Sequence, residues 1–351
     1  MSPKLFITGG TGYIGGSVLH AIATTHPEYT ITVLLRTIPA SFTTTYPNIR
    51  IVGGTYDSTS LLTSEASQAD IVVHNGDSDH EPSLNALIAG LLQKEKQTGN
   101  PGVLIHLSGT GIVSDFQTSP STLGTQSSEI WSDIDATSLQ KIRSRPDAAP
   151  HRNTEKILHA AAKEYADKIN IAIMCPPDIY GPGTGLGRTS SALIPLYVKQ
   201  IKKLGAAFYV REGTNTRSWV HIQDLTRLYL RVVETAVSTI SNPSSAGKYF
   251  NENGYYFAST QEHTQIALAR AVGAVLHKHG VIEKPEPRAI GLEEVDGMLK
   301  AVLWPDLARY LFASNSRTRA ERAGREWGWK GEEEGLLEAV EKDILVALKE
   351  G

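Results

Sequence analysis

A glycine-rich octet near the N-terminus is the first feature whose residue types and spacing could do chemistry. It reads Thr8-Gly9-Gly10-Thr11-Gly12-Tyr13-Ile14-Gly15 and follows a short apolar run. Gly9 and Gly12 permit a tight turn that lets a phosphate approach the backbone, and Gly15 lets a helix pack closely on a strand. The N–H groups at the start of that helix would face the anion. The octet predicts a pyrophosphate site formed by Gly9, Thr11, Gly12, Tyr13, Ile14 and Gly15.

Arg36 ends the second apolar run, about twenty residues beyond the last glycine of the octet, where an acidic residue usually bonds the ribose 2′-hydroxyl of NAD. A guanidinium suits a ribose 2′-phosphate instead, and Thr37 could add a hydroxyl. Arg36 therefore predicts NADP(H) as the cofactor. The alternative is a solvated arginine on the surface.

A second polar group, Asn75-Gly76-Asp77-Ser78-Asp79-His80, follows the fourth apolar run. Because ligands of parallel sheets bind outside the carboxyl ends of the strands, Asp77, Asp79 and His80 could form an acid–base site. The alternative is that these residues open the next helix, with Asp79 or Ser83 as its N-cap.

Composition limits the class of protein. The 351 residues are 40% hydrophobic and 20% charged, as is usual for a globular protein. The formal net charge is -3, so the chain lacks the excess of basic residues that nucleic-acid binding requires. We expect no membrane span, because no apolar run reaches the length a bilayer needs, and no export signal at the N-terminus. Cys175 lies in an apolar run and is expected to be buried and inert. A single cysteine and the absence of metal-ligand spacing predict no disulfide, no metal site and a cytoplasmic location.

The elements that must position these groups follow a regular alternation. Short apolar runs alternate with helical stretches in the first half, which is typical of a parallel sheet with crossover helices. The sequence predicts an α/β fold: a doubly wound parallel Rossmann sheet over residues 1–178, and a smaller C-terminal α+β substrate-binding region over 179–351, of which 216–238 packs back on the first domain. A polar loop is expected over Ser114–Pro150. The predicted strands are Lys4–Thr8, Thr30–Leu35, Ile49–Val52, Ile71–Asn75, Val103–Leu107, Asn170–Met174, and shorter ones near Phe208–Val210 and Trp219–His221; the predicted helices are Gly15–Thr25, Leu84–Lys96, Asn153–Ala166, Ser191–Leu204, Gln223–Val237, Thr260–His279, Ala320–Glu326 and Gly335–Lys349.

Five motifs follow one another along the chain: the octet, Leu107-Ser108-Gly109-Thr110, Pro177-Asp178-Ile179-Tyr180-Gly181-Pro182-Gly183, Trp219-Val220-His221-Ile222-Gln223-Asp224-Leu225 and Glu326-Trp327-Gly328-Trp329. In this order they resemble the extended short-chain dehydrogenase/reductases, which include nucleotide-sugar epimerases and dehydratases. Arg36 also resembles the atypical NmrA-like branch, some of whose members bind NADP(H) as sensors without turnover. The resemblance implies that the third motif, which contains Ile179, shapes the nicotinamide pocket through its backbone, so that the Tyr180 hydroxyl is not expected to donate a proton.

The same resemblance implies a Ser or Thr after the fifth strand and a Tyr-x-x-x-Lys pair on the next helix. Thr110 matches the hydroxyl and Lys156 matches the lysine that binds the nicotinamide ribose, but the tyrosine position holds Arg152. Arginine stays protonated, so Arg152 could hold an oxyanion or a carboxylate but cannot move a proton. The proton would come from His151, from Asp77 or from an ordered water. The alternative for His151 is a solvated or capping residue.

Arg217 matches an arginine that contacts nucleotide phosphates in sugar-nucleotide epimerases, and the alternative is a surface ion pair. A second arginine signature of those enzymes is missing, which weakens the case for a nucleotide-sugar substrate. Asp224 is expected to cap the helix after it.

Taken together, these motifs lead us to expect an NADP(H)-dependent oxidoreductase or redox-assisted isomerase for a small carbonyl or alcohol, as a monomer or homodimer. The alternatives are a non-catalytic NADP(H) sensor or scaffold, and a non-redox enzyme on the same fold.

Overall fold

A seven-stranded sheet forms the centre of the computed structural model, which describes residues 2–117, 120–299 and 305–350. Residues 118 and 119 of the predicted polar loop and both chain ends lie outside the described residues. The strands, in chain order, are β1 (Lys4–Thr8), β2 (Thr30–Leu35), β3 (Arg50–Gly53), β4 (Ile71–His74), β5 (Gly102–Leu107), β6 (Trp131–Ser132), β7 (Ile169–Cys175), β8 (Asp178–Tyr180), β9 (Phe208–Val210), β10 (Thr216–His221), β11 (Tyr255–Phe257), β12 (Gln261–Thr264), β13 (Arg288–Ile290) and β14 (Thr318–Arg319).

The central sheet has the order β11-β7-β5-β4-β1-β2-β3, and every neighbouring pair is parallel, which confirms the predicted Rossmann-type α/β fold. The chain starts at β1, moves outward to β3 and then crosses to β4 on the other side of β1. This reversal opens a crevice at the carboxyl ends of β1 and β4, where doubly wound sheets bind their ligands.

Helices cover both faces of the sheet, which explains why β4 and β5 are buried along their whole length. On β1, Leu5 and Ile7 face the layer of the helices Tyr13–Thr25 and Ile222–Ser241, whereas Phe6 faces the layer of the helices Thr59–Ala66 and Glu81–Thr98. The helices are α1 (Tyr13–Thr25), α2 (Phe42–Thr45), α3 (Thr59–Ala66), α4 (Glu81–Thr98), α5 (Ala136–Arg143), α6 (Arg152–Glu164), α7 (Leu193–Leu204), α8 (Ile222–Ser241), α9 (Gln265–Lys278), α10 (Leu292–Asp296), α11 (Leu307–Phe312), α12 (Glu321–Trp327) and α13 (Leu336–Glu350).

The C-terminal half builds a second apolar core around α7, α9 and α13, beside the small sheet β12-β10-β8. The chain also returns to the first half twice. Helix α8 packs against α1, and β11 pairs with β7 at the edge of the central sheet. Residues on both sides of position 178 therefore complete the Rossmann unit.

Several local predictions needed correction. The predicted helix Thr260–His279 begins instead as β12, and α9 starts at Gln265 because the Thr264 side chain caps it. Strand β11 has only three residues and was not predicted, since its pairing with β7 is made across the fold. The polar segment after β4 does open helix α4, as the alternative held, but the N-cap is His80, whose Nδ1 accepts the Ser83 N–H, and not Asp79 or Ser83. Among the described residues, no helix is long and apolar enough to cross a bilayer.

Candidate functional site

Two adjoining cavities occupy the crevice at the carboxyl ends of β1 and β4. The Arg36 cavity, of about 240 Å³, is lined by Arg36 and Tyr56. The Arg188 cavity, of about 340 Å³, is lined by Ile179 and Arg188. The two cavities share Gly12, Asn75 and Gly76, so together they form one elongated cleft that crosses the switch point.

The glycine octet forms the floor of this cleft. Gly9 has φ +74°, and a Cβ there would collide with the carbonyl oxygen of Asn75. A Cβ on Gly15 would collide with the carbonyl oxygen of Gly9, so the helix could not approach the strand. Helix α1 has Gly12 as its N-cap, and no side chain occupies its first N–H groups. The Arg188 cavity is lined by Tyr13, Ile14 and Gly15, so the backbone N–H groups in the first turn of α1 face this cavity.

Asn75 lies between the two cavities with an unsatisfied amide. Its side chain is 5% exposed, and neither Nδ2 nor Oδ1 has a hydrogen-bond partner among the described residues. A buried polar group without a partner costs free energy, and most such groups in folded proteins are satisfied. A polar ligand spanning the cleft would satisfy this amide. The sequence placed Asn75 in a candidate acid–base segment, and its position directly after β4 was the signal for binding.

Arg36 is exposed at the outer end of the cleft and makes no ion pair or hydrogen bond with the described residues. No carboxylate side chain is among the described residues that line its cavity. Burial raises the pKa of the neighbouring Tyr56 phenol, and the charge of Arg36 opposes that rise. The Arg36 cation therefore has no carboxylate partner among the described residues that line its cavity.

A glycine-rich segment, residues 181–188, closes over the octet. The N–H of Arg188 donates to the carbonyl of Thr11 over 3.0 Å, and the Tyr13 hydroxyl donates to the carbonyl of Gly181 over 2.6 Å. The Arg188 guanidinium is held by the carbonyls of Ser190 and Ser191. Arg188 was not among the site residues predicted from the sequence, although its position directly after the glycine-rich run was an available signal.

His151 and Asp79 meet beside the end of β5. His151 is the N-cap of α6, with φ +64°, and its Nδ1 lies 3.0 Å from Oδ1 of Asp79 and 3.2 Å from Oγ of Ser78. Partial burial tends to raise the pKa of the Asp79 carboxyl, but the hydrogen bond and charge of His151 lower it overall. The ring Nε2 lies on the side of Gly109, where a Cβ would be 2.8 Å from it.

Helix α6 presents other residues to the site than the resemblance implied. The guanidinium of Arg152 donates to the carbonyls of Arg143 and Arg145, and Lys156 Nζ lies 2.8 Å from Asp147 Oδ1 with 49% of its side chain exposed. Neither residue lines the cleft cavities.

The inward pair of α6 is His151 and Glu155 instead. Glu155 is fully buried and accepts the hydroxyl of Ser108, at the end of β5, over 2.6 Å. His151 and Glu155 are four residues apart and share a helical face, whereas Arg152 and Lys156 are rotated off it by one position. The expected roles of Arg152 and Lys156 in the site do not agree with this placement.

Thr110 and Asp77 each lie in a turn beside the site. Thr110 begins the short 3-10 turn Thr110–Val113 and is buried, with its N–H on the carbonyl of Pro176 and its carbonyl accepting from Ser316. Asp77 is exposed, and its carboxylate accepts the N–H of Asp79 over 3.0 Å. Asp77 thus holds the turn that presents Asp79.

Arg217 is neither a surface residue nor free to bind a phosphate. It is 3% exposed, with Nε and Nη2 at 2.5 and 3.2 Å from the two carboxylate oxygens of Asp178. The predicted phosphate contact therefore does not agree with the structure. The alternative, an ion pair, is present, but it is buried and not on the surface, because β10 places Arg217 inside the fold. Asp224 does not cap α8: His221 does, and the Asp224 carboxylate binds Arg227 and the N–H of Glu332. Cys175 is buried as predicted, and burial raises its pKa.

The part of the chain that contains the cleft matches the model of a known protein family. The model of the NAD dependent epimerase/dehydratase family matches residues 5–243. The chain belongs to this family. The match includes the octet, the β4 loop and the start of α6.

Relatives of this family member include enzymes with different reactions. The oxidase ucsJ of Acremonium sp. is 29% identical over 334 residues, covering 94% of this chain and 93% of that protein. A dTDP-glucose 4,6-dehydratase of Mycobacterium tuberculosis is 23% identical over 244 residues, covering 66% of this chain and 69% of that enzyme.

Solved structures share the fold at low identity. The PbgP3 protein of Burkholderia pseudomallei has a TM-score of 0.64 at 10% identity, covering 100% of this chain and 97% of that one. The dTDP-glucose 4,6-dehydratase DesIV of Streptomyces venezuelae, with NAD and TYD bound, has a TM-score of 0.61 at 19% identity, covering 99% and 97%. These likenesses establish the architecture of the epimerase/dehydratase member described here.

Proposed function

We propose that this protein is an NADP(H)-dependent oxidoreductase for a small carbonyl or alcohol substrate, with His151 and Asp79 as its acid–base pair. The observation that carries the proposal is the Asp79–His151 contact at the end of β5, on the same edge of the sheet as the dinucleotide-type cleft. The name of the family and its dinucleotide-type octet make a nicotinamide cofactor the natural ligand of that cleft.

The residues of the cleft fit such a cofactor. The free N–H groups of α1 and the unsatisfied amide of Asn75 would hold the pyrophosphate and its adjoining ribose. Arg36 would bind a ribose 2′-phosphate, which is why we propose NADP rather than NAD. Ile179 and Arg188 line the other end. When bound, the nicotinamide supplies or accepts hydride.

The chain's own residues would handle the proton. Asp79 accepts a hydrogen bond from the Nδ1–H of His151 and so favours the tautomer in which Nε2 is free to accept a proton. In the direction of reduction, protonated Nε2 is the source of the proton that ends on the substrate oxygen; in the direction of oxidation, neutral Nε2 takes that proton up. Thr110, buried at the start of the turn after β5, is proposed to hydrogen-bond the substrate oxygen.

A redox reaction on a small molecule agrees with two further observations. The relative that covers nearly the whole chain is named an oxidase. The arginine that could have bound a nucleotide phosphate, Arg217, is already saturated by Asp178, the Tyr310 carbonyl and Ser314. The substrate is therefore proposed to be small and not a nucleotide sugar.

Calorimetry and a turnover assay test this proposal. We expect NADPH to bind more tightly than NADH, and NADPH oxidation with at least one member of a panel of aldehydes, ketones and quinones, or NADP⁺ reduction with the matching alcohols. If NADPH binds but no substrate is turned over, the result would favour a non-catalytic NADP(H) sensor. The missing tyrosine of α6 favours the same alternative. Turnover that leaves the nicotinamide unchanged throughout would favour a redox-assisted isomerase or non-redox chemistry. Absence of dinucleotide binding would overturn the proposal.

A further inference from the structure

Tyr310, carried by α11 in the C-terminal half, reaches the turn after β5. A Cβ placed on Gly111 would lie 3.1 Å from the Tyr310 hydroxyl oxygen and 3.4 Å from His151 Nε2. The phenol and the imidazole therefore converge on one side of Gly111. Tyr310 is partly exposed, whereas most of its neighbours on α11 are buried.

Arg217 holds the Tyr310 ring in this position. Its guanidinium carbon lies 4.7 Å from the ring centroid, and Nη1 donates to the Tyr310 carbonyl over 2.8 Å. Phe116 packs edge-on against the same ring, with centroids 5.6 Å apart. Asp178, the ion-pair partner of Arg217, also lines the Arg188 cavity. One set of contacts thus ties the phenol to the inner end of the cleft.

The charge of Arg217 suits a phenol that must lose a proton. Burial and the carboxylate of Asp178 raise the pKa of the Tyr310 hydroxyl, and the adjacent guanidinium of Arg217 limits that rise. A cation held over the ring and beside the hydroxyl stabilises the phenolate more than the phenol.

We propose that Tyr310 is a catalytic residue, the phenol that exchanges a proton with the substrate oxygen. The proposal rests on the proposed function. In reduction, the carbonyl carbon gains hydride from the nicotinamide dinucleotide while the carbonyl oxygen takes the proton of the Tyr310 hydroxyl. Arg217 stabilises the phenolate, His151 returns a proton to it from Nε2, and His151 regains its own from water beside the half-exposed Asp79. Oxidation of the alcohol runs through the same groups in reverse.

Tyr310→Phe tests the role, because phenylalanine keeps the ring between Arg217 and Phe116 and removes only the hydroxyl. We expect kcat to fall about a hundredfold or more, which is the usual contribution of a general acid, with an unchanged Kd for NADPH. Tyr229→Phe is the matched control: Tyr229 is a buried tyrosine of α8 whose hydroxyl has no partner among the described residues. That control should keep the wild-type kcat.

A fluorinated tyrosine at position 310 gives a second readout, since it lowers the phenol pKa with little change in packing. We expect the pH–rate profile to move toward lower pH. Wild-type kcat in Tyr310→Phe, or an unmoved profile in the fluorinated protein, overturns the role of Tyr310 and leaves the oxidoreductase proposal standing. A wild-type protein that transfers no hydride to any substrate overturns both. If Tyr310→Phe does not fold, the fluorinated protein decides.

Discussion

Nδ1 of His151 lies 3.0 Å from Oδ1 of Asp79, although 72 positions separate the two residues in the chain. The carboxylate comes from the loop after β4, and the imidazole comes from the residue before α6. Both segments end at the same edge of the sheet because β4 and β5 are parallel neighbours and α6 follows the connection from β5. This contact joins two sequence segments that each offered an acid–base group.

Replacing His151 by Asn should lower kcat by about 10² to 10⁴, the usual range for loss of a general acid–base group. Asp79→Asn should cost less, because the imidazole stays but loses the carboxylate that orients it. Steady-state kinetics with NADPH and an active carbonyl substrate measures both. The control is His279→Asn on the surface near Glu341, which should leave kcat unchanged. Equal rates for wild type and His151→Asn would remove His151 from the mechanism.

Removing the Arg36 guanidinium should weaken NADPH binding by about 10- to 100-fold, since hydrogen bonds to charged groups contribute about 1.5–3 kcal/mol. NADH affinity should hardly change, because NADH lacks the 2′-phosphate. Calorimetry on Arg36→Ala gives both values. Arg50→Ala is a suitable control, because Arg50 is an exposed arginine already paired with Glu65. A parallel loss for both dinucleotides would contradict a 2′-phosphate contact.

Asn75→Ala should separate binding from stability. The apo protein should be as stable as wild type or more stable, because the substitution removes a buried amide that has no partner. NADPH affinity should fall about tenfold, equivalent to roughly one hydrogen bond of 1.4 kcal/mol. Urea unfolding and calorimetry measure the two effects. A large loss of apo stability with unchanged affinity would show that the amide is structural.

Lys156→Ala should leave the Kd for NADPH within about twofold of wild type, because the ammonium pairs with Asp147 on the surface. An exposed ion pair contributes about 0–1 kcal/mol, so the loss of stability should also be small. Titration of the variant with NADPH makes the measurement. A strong loss of affinity would restore Lys156 as a ribose contact and would require its side chain to turn inward.

Stability should fall as the pH falls below about 6.5, because two adjacent histidines are buried in neutral form. Burial lowers the pKa of His74 to about 4 and that of His106 to about 3. The unfolded chain, with histidine pKa values near 6.5, then binds more protons between about pH 6.5 and pH 4, and stability is lost over that window. At pH 5 the loss should be about 2 kcal/mol per histidine.

Urea unfolding at pH 7.5 and pH 5 measures this loss. His106→Gln cannot be protonated and should show a smaller drop between the two pH values than wild type. Identical drops in the two proteins would place the acid sensitivity elsewhere.

The local parts of the site could be predicted from the sequence. The octet predicts a strand, a turn and a helix start because the close contacts of Gly12 and Gly15 are with the Gly9 carbonyl, inside the octet itself. The bounds of β1 and β2 were predicted correctly, and the Rossmann fold followed from the alternation of apolar runs and helices. Arg36 could be placed at the outer end of the cleft because it directly follows β2.

The register of α6 could not be predicted in the same way. His151 adopts φ +64°, so the helix begins at Arg152 and the residues facing β5 become His151 and Glu155. A shift of one residue rotates a helix by about 100°, which is enough to turn Lys156 to the surface. Motif alignment counts positions along the chain and carries no information about this rotation.

By itself, the sequence determined the sheet, the phosphate-binding turn and the cation at the end of β2, because those features depend on neighbours in the chain. The tertiary structure alone decided that Asp79 meets His151, that Arg217 is buried against Asp178, and that Tyr310 reaches Gly111 from α11. These contacts join residues far apart in the chain. Their distances depend on how helices and strands pack, and packing is a property of the whole fold.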